Sequence, residues 1–366
     1  MTHGPFGTEA RWLFDRRTDL VAFGGSALAS LVLLAGGAAA GIATEPTPGW
    51  VFLLCVVAVD VAHVWSTAWR VYLDPEELRR RLLLYAGVPF AAWLVGVALH
   101  AVSAALFWRV LAYVAVVHFV RQQVGWMRLY RRRVPDATRF DGWLDEAAIL
   151  AATLAPLLWW HAHLPRRFAW FVPGDFVPGL PEPVGTAALL LGGATLLAWL
   201  VRQLLRVVHE GVRALHTGKL LLVVSTAACW WLGIVAFDGD YAFTVTNVLV
   251  HGVPYLVLTF RWARMRASQG HGGMGGLLRV GALGFVSLAI AVAAVEEGLW
   301  DLLVWHDWLG VAVQTPPLAL VFVVPLLAVP QATHYVLDAF VWRTRDGSNP
   351  QLAQALETAI APRSSA

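Results

Sequence analysis

Charge is what this sequence has least of. Only 14% of its 366 residues are charged, against about a quarter in an ordinary soluble domain. A water-facing surface cannot be covered from so small a supply. Lysine is nearly missing as well, Lys219 being the single lysine among 27 basic residues. The arginines are grouped between apolar runs, so the formal charge of +3 reads as a topology signal and no nucleic-acid partner is expected. The only cysteines, Cys55 and Cys229, fall inside apolar runs, where a thiol behaves as a small apolar group. No disulfide framework is expected. A cleavable signal peptide is not evident either. The first ten residues are mostly polar or small, residues 11–19 are charged, and the apolar segment that follows is long enough to stay as a span.

What the chain has instead is apolar length, in runs such as 31–42, 82–105 and 318–329. Lipid demands apolar side chains and a backbone satisfied from within, which leaves helices as the expected form. Runs of roughly 18 to 25 residues predict ten transmembrane helices near 20–42, 50–72, 82–103, 105–127, 146–164, 184–207, 220–237, 243–260, 279–299 and 317–342. The fold class is therefore an all-α integral membrane protein with both termini cytoplasmic. Residues 1–343 form one polytopic domain, and 344–366 form a polar tail with a short amphipathic helix around 351–360.

The positive-inside rule supports the count. Arginines 11, 16 and 17, then 70 and 79–81, then 128, 131–133 and 139, fall on one side, as do Arg202, Arg206, Arg213, Arg261, Arg264, Arg266, Arg279, Arg343 and Arg345. The other side keeps Arg166 and Arg167, with Arg109 near a tight turn, and collects acidic residues including Asp175, Asp238, Asp240, Asp301 and Asp307. This asymmetry points to a multi-pass protein of the cell inner membrane. Residues 165–183, rich in proline and aromatic rings, read as an outer interfacial loop. The glycine-rich stretch 270–276 lacks a preceding strand and the lysine that a phosphate loop needs, so it reads as a flexible connection.

Ionisable residues inside spans are costly and ask for a reason. Four spans carry the same kind. The second has Asp60 and His63, three apart and so on one face. The fourth has His118 and Gln122, with Arg121 between them. The eighth has Asn247 and His251, with Tyr255 a turn further on, and the tenth has His334 and Asp338, followed by Trp342. Counted back from the arginines that end these spans, the histidines lie 7 to 10 residues in, or about 10 to 15 Å at helical rise. Four imidazoles at one depth, with carboxylates a turn away in two cases, form the donor set a buried transition metal uses. Interhelical hydrogen bonding is the plainer reading of any single one.

The remaining candidates have simpler explanations. His100, His161, His163 and His306 fall near the outer side, His209 and His216 in a loop, and His3 and His271 in solvated segments. Glu296 and Glu297 read as interfacial, with a cation path as the alternative. Most of the 19 tryptophans sit at span ends as belt residues. Trp69, Trp126, Trp262 and Trp342 would lie just below the histidine plane, where a quinone or isoprenoid could also stack.

In architecture and ligand inventory the chain resembles the bacterial carotene-cleaving membrane dioxygenases, whose iron is held by four histidines. The resemblance implies non-haem iron on His63, His118, His251 and His334. It does not extend to that family's paired late histidines, and the compact His-x-x-His-His boxes of membrane desaturases are absent too. The reading that follows is a metal-dependent oxidoreductase served by an electron donor and acting on an apolar, lipid-like or isoprenoid-like substrate. Asp60 and Asp338 would orient imidazoles, Gln122 and Tyr255 would touch substrate or water, and Arg70, Arg121 and Arg261 would suit an anionic head group. A haem b protein with paired axial histidines, a site for another transition metal, a proton-coupled transporter with a His/Asp relay and a metal-free transferase stay open as alternatives.

Overall fold

The computed structural model describes residues 11–132, 138–270, 278–311 and 313–342, and these are helical with no strand among them. The expected tail helix at 351–360, the glycine-rich stretch beyond Gly270, and His3, His271, Arg343 and Arg345 lie outside the described residues.

Among the described residues nine helices are long and apolar enough to cross a membrane. In chain order, with the other helices interleaved, they begin with α1 (Arg16–Ala39) and α2 (Gly49–Tyr72). A short α3 (Pro75–Arg80) leads into α4 (Leu82–Val102) and α5 (Ala104–Arg132). After α6 (Arg139–Ala162) come α7 (Glu182–Glu210), α8 (Thr217–Ala236), α9 (Asp240–Ser268), α10 (Gly281–Trp305) and α11 (Pro317–Val341). The expectation of ten spans is thus met by nine. The fifth expected span coincides with α6, a 24-residue helix whose first two turns carry Arg139, Asp141, Asp145 and Glu146. The acids among them are answered within the protein. Asp145 accepts hydrogen bonds from Lys219 Nζ at 2.7 Å and Trp199 Nε1 at 2.8 Å, and Asp141 pairs with Arg202 at 2.8 Å.

The joint that the sequence leaves least certain, between the third and fourth spans, is a single residue. Ser103 is extended (φ −166°, ψ 146°) between α4 and α5, and its hydroxyl accepts from Leu106 N at 3.1 Å. A hydroxyl in that place satisfies one of the amide donors that a helix start leaves open. At the far end of α2, Asp74 caps α3 by accepting from the amides of Glu76 and Glu77, both at 3.2 Å, and Arg266 of α9 reaches across to Asp74 at 2.6 Å and Glu76 at 2.6 Å. Burial alone would raise the Asp74 carboxyl. Its bonds to Arg266 and the Glu77 amide, with the charges of Arg266 and Arg70, hold it below its usual value.

α9 is the most buried of the nine and packs against α1, α2, α8 and α10. α4 and α7 are the least buried and expose rows of leucine and valine, among them Leu83, Val95, Leu190 and Leu191, as lipid-facing helices do. α11 packs against α2, α4 and α5, and α10 against α2. Four segments wind more widely than an α-helix, with π geometry: Leu20–Gly25, Phe52–Val61, Trp231–Ala236 and Asp301–Trp305. The longest lies in α2 immediately before His63. Such turns recur at functional sites.

Candidate metal centre

The helices that carry the four histidines, α2, α5, α9 and α11, converge on one point. His63, His118, His251 and His334 are all buried, and each offers one ring nitrogen such that these atoms lie within 4.8 Å of one another. Their rings close a circuit of edge-to-face contacts. Centroid separations are 4.7 Å from His63 to His251, 5.2 Å from His251 to His118, 4.5 Å from His118 to His334 and 4.8 Å from His334 back to His63. The depth read from the arginines is therefore matched by convergence in space.

Hydrogen bonding explains only part of this cluster. His118 Nε2 and His334 Nε2 face each other at 3.1 Å, which one N–H can bridge. Neither ring nitrogen of His63 or His251 has a hydrogen-bond partner among the described residues. The carbonyls of Val59 and Asp60, a turn back from His63, are near its ring but outside hydrogen-bond geometry. A neutral imidazole carries one donor and one acceptor, and leaving such a group buried and unanswered costs about 1 to 3 kcal/mol. A shared ion answers the lone pairs at once. With metal–nitrogen bonds of about 2.0 to 2.1 Å, two ligands at right angles stand about 3.0 Å apart and two tetrahedral ones about 3.4 Å, so His118 and His334 already have ligand spacing. The widest pair needs to close by roughly half an ångström to match ligands on opposite sides of such an ion.

The surroundings hold these rings in place. Thr67, one turn after His63 on α2, has its hydroxyl 2.7 Å from His334 Nδ1 and 2.6 Å from Tyr255 Oη, and Trp342 Nε1 donates to the same Tyr255 oxygen at 3.1 Å. The Phe119 ring is stacked on His251 with centroids 3.5 Å apart and planes 6° apart, and Tyr335 lies 5.0 Å from His118. Asp60 Oδ1 is 3.6 Å from His63 Nδ1, and Asp338 Oδ2 is 3.7 Å from His118 Nδ1. Both carboxylates are within reach of an imidazole but not in tight contact. Gly252, beside His251, lets α2 come close, since a Cβ there would stand 2.7 Å from Val59 Cγ1 and 3.4 Å from His63 Nδ1.

Two cavities flank the histidines. The first, about 650 Å³, reaches His118, Gln122, Tyr255 and Asp338 and is bordered by Arg121, Arg128 and Arg132 among apolar residues including Val124, Leu129 and Leu258. Both amide atoms of Gln122 are buried without a partner among the described residues. The second, about 640 Å³, approaches from α2, α9 and α10 and is lined by Asp60, Phe119, Asn247 and Glu297.

Of the three arginines singled out in the sequence, the fold brings Arg121 to the first cavity and engages the others elsewhere. Arg70 is buried, its guanidinium 3.6 Å over the Trp262 ring and 3.8 Å from Glu77. Burial would raise Glu77, but Arg70, Arg80 and the Tyr85 hydroxyl together hold its carboxyl below the ordinary value. Arg261 donates to Asp15 and, at 2.7 Å, to Thr18. Glu296 and Glu297, expected at the interface, are both buried, and Trp65 Nε1 donates to Glu296 at 2.6 Å. Thr67, Phe119 and Tyr335 carry no signal that single-sequence reading caught. Only Thr67, four residues after His63 and so on its face, could have been found by spacing. No protein-family model, curated protein or solved structure matches this chain.

Proposed function

We propose that the protein is a membrane-embedded metalloenzyme, an oxidoreductase of the non-haem iron type, acting on an amphiphile with an apolar body and an anionic head. The observation that carries this reading is the closed circuit of four buried imidazoles in which His63 and His251 have both ring nitrogens unanswered. An all-imidazole site suits iron, copper or zinc. Iron is favoured by the likeness of the ligand set to that of the carotene-cleaving dioxygenases. A bound ion of that kind supplies redox chemistry and open coordination positions.

The protein's own residues do the rest. Thr67 and Tyr255 fix the ring of His334, and Asp60 and Asp338, 3.6 and 3.7 Å from His63 and His118, would need to close by about half an ångström to orient those rings as outer partners of metal-bound imidazoles do. The first cavity admits the substrate. Its apolar walls take the chain, Gln122 offers two free amide atoms beside the site, and Arg121 at its border suits a carboxylate or phosphate. On the positive-inside rule this cavity would open toward the cytoplasmic side of the inner membrane, where an electron donor would also dock.

Haem is less well served, because paired axial ligands must stand on opposite faces of a macrocycle and these four rings touch one another. A cation or proton relay is the second reading, favoured by the presence of a cavity on either side of the histidines. Elemental analysis and optical spectra of gently purified protein decide between them. One retained transition-metal ion per chain is expected, lost when any one of the four histidines becomes alanine and kept in His209→Ala. Protein that is active in its membrane yet free of metal would transfer the histidines to proton chemistry.

A further inference from the structure

The four histidines are buried among the helices, so an ion bound there needs a way in, and the two cavities differ in charge. The first is bordered by arginines. The second has no lysine, arginine or histidine among its described lining residues, which include four carboxylates, Asp60, Asp240, Glu297 and Asp307. One further observation is independent of those acids. Asn247, 1% exposed, lines the same cavity and spends its amide nitrogen on Phe243 O at 3.0 Å and Thr246 Oγ1 at 3.1 Å, leaving its buried Oδ1 without a partner. Every polar side chain named here therefore brings an acceptor oxygen to the lining. The inner end of the cavity is Asp60, whose Oδ1 is 3.6 Å from His63 Nδ1.

We propose that this second cavity is a cation-binding vestibule through which a divalent transition-metal ion enters and is handed to the four histidines. The inference rests on the metal reading above and adds its route. Oxygen donors hold a hydrated dication loosely, whereas imidazoles hold a borderline transition metal more tightly, so the donor sequence runs from weak to strong toward the centre. At about 30 Å³ per water, a cavity of about 640 Å³ has room for an ion with its water shell. The ion sheds that water as it passes to neutral ring nitrogens, and no proton or electron is exchanged.

The test follows cobalt(II) loading into chelator-stripped, full-length protein in detergent, read by growth of its visible absorption and by the ion retained after desalting. Clefts lined by one sign of charge speed entry of the opposite charge, by factors of about 10 to 1000. Glu297→Gln and Asp307→Asn are therefore expected to slow loading several-fold with the final stoichiometry unchanged, and Arg121→Gln is expected to leave its rate unchanged. Wild-type loading should also become slower as salt is raised, a measurement that needs no variant. Loading that quickens with salt, or that Arg121→Gln quickens and Glu297→Gln leaves unchanged, assigns entry to the arginine-bordered cavity and overturns the vestibule while the histidine site stands. Wild-type protein that retains no cobalt at all overturns the metal reading and the route together.

Discussion

At the scale of single residues the candidate site depends on groups that would donate nothing to a metal. Thr67 joins His334 and Tyr255 through one hydroxyl, and removing it frees the His334 ring to turn. Changes of this outer kind cost about 10- to 100-fold in metal affinity. Thr67→Val should weaken retention by that amount in a chelator competition, with Thr67→Ser close to wild type. Equal retention in both would make the hydroxyl incidental. The histidines were legible in the sequence because an imidazole in a span is rare enough to need explaining. Thr67 was legible only through its spacing from His63, since a hydroxyl within a helix usually bonds back to its own backbone and looks the same whether or not it has a second partner. Phe119 was beyond reach for a different reason. It follows His118 in the chain but stacks on His251 of another helix, a contact that depends on how two helices are rotated.

At the scale of helices, depth could be read and rotation could not. The arginines at the span ends act as a ruler along the membrane normal, and all four histidines fell at one mark on it. Which faces meet is decided by close packing, as at Gly252, where α2 passes too near α9 for any side chain. Gly252→Ala should therefore destabilise the protein by about 1 to 3 kcal/mol through overpacking and lower metal retention by moving His63 away from His251. Gly125→Ala, with nothing within 4 Å of the added carbon, is the matched control and should be neutral or stabilising. Thermal unfolding in detergent, with metal content measured on the same samples, separates the two. At α6 the expected span is a 24-residue helix that falls short of the others in apolarity. Apolar run length says nothing of whether nearby acids will find partners such as Lys219 and Trp199 inside the protein.

At the scale of the whole molecule the two cavities differ in charge as the two sets of loops do, arginine toward one and carboxylate toward the other. If the arginine rule holds, Ser268→Cys, at the exposed end of α9, is protected from an impermeant thiol reagent in intact cells. Pro178→Cys, exposed in the loop between α6 and α7, reacts. Cys55 and Cys229 are buried and should give little background. Labelling at 268 from outside would invert the orientation and with it the side from which substrate enters. The wide winding of Phe52–Val61 in α2 bears on how such a molecule can vary. Each turn there holds more chain than an α-helical turn does, so the segment stores slack. Loss of one residue from its outer half can be taken up by tightening the winding, with His63 and everything after it left where they are. α9 has no such reserve, being α-helical throughout, and the same loss ahead of His251 would swing that ring out of the circuit. Length variation in this architecture is therefore tolerated on one wall of the site and not on the other.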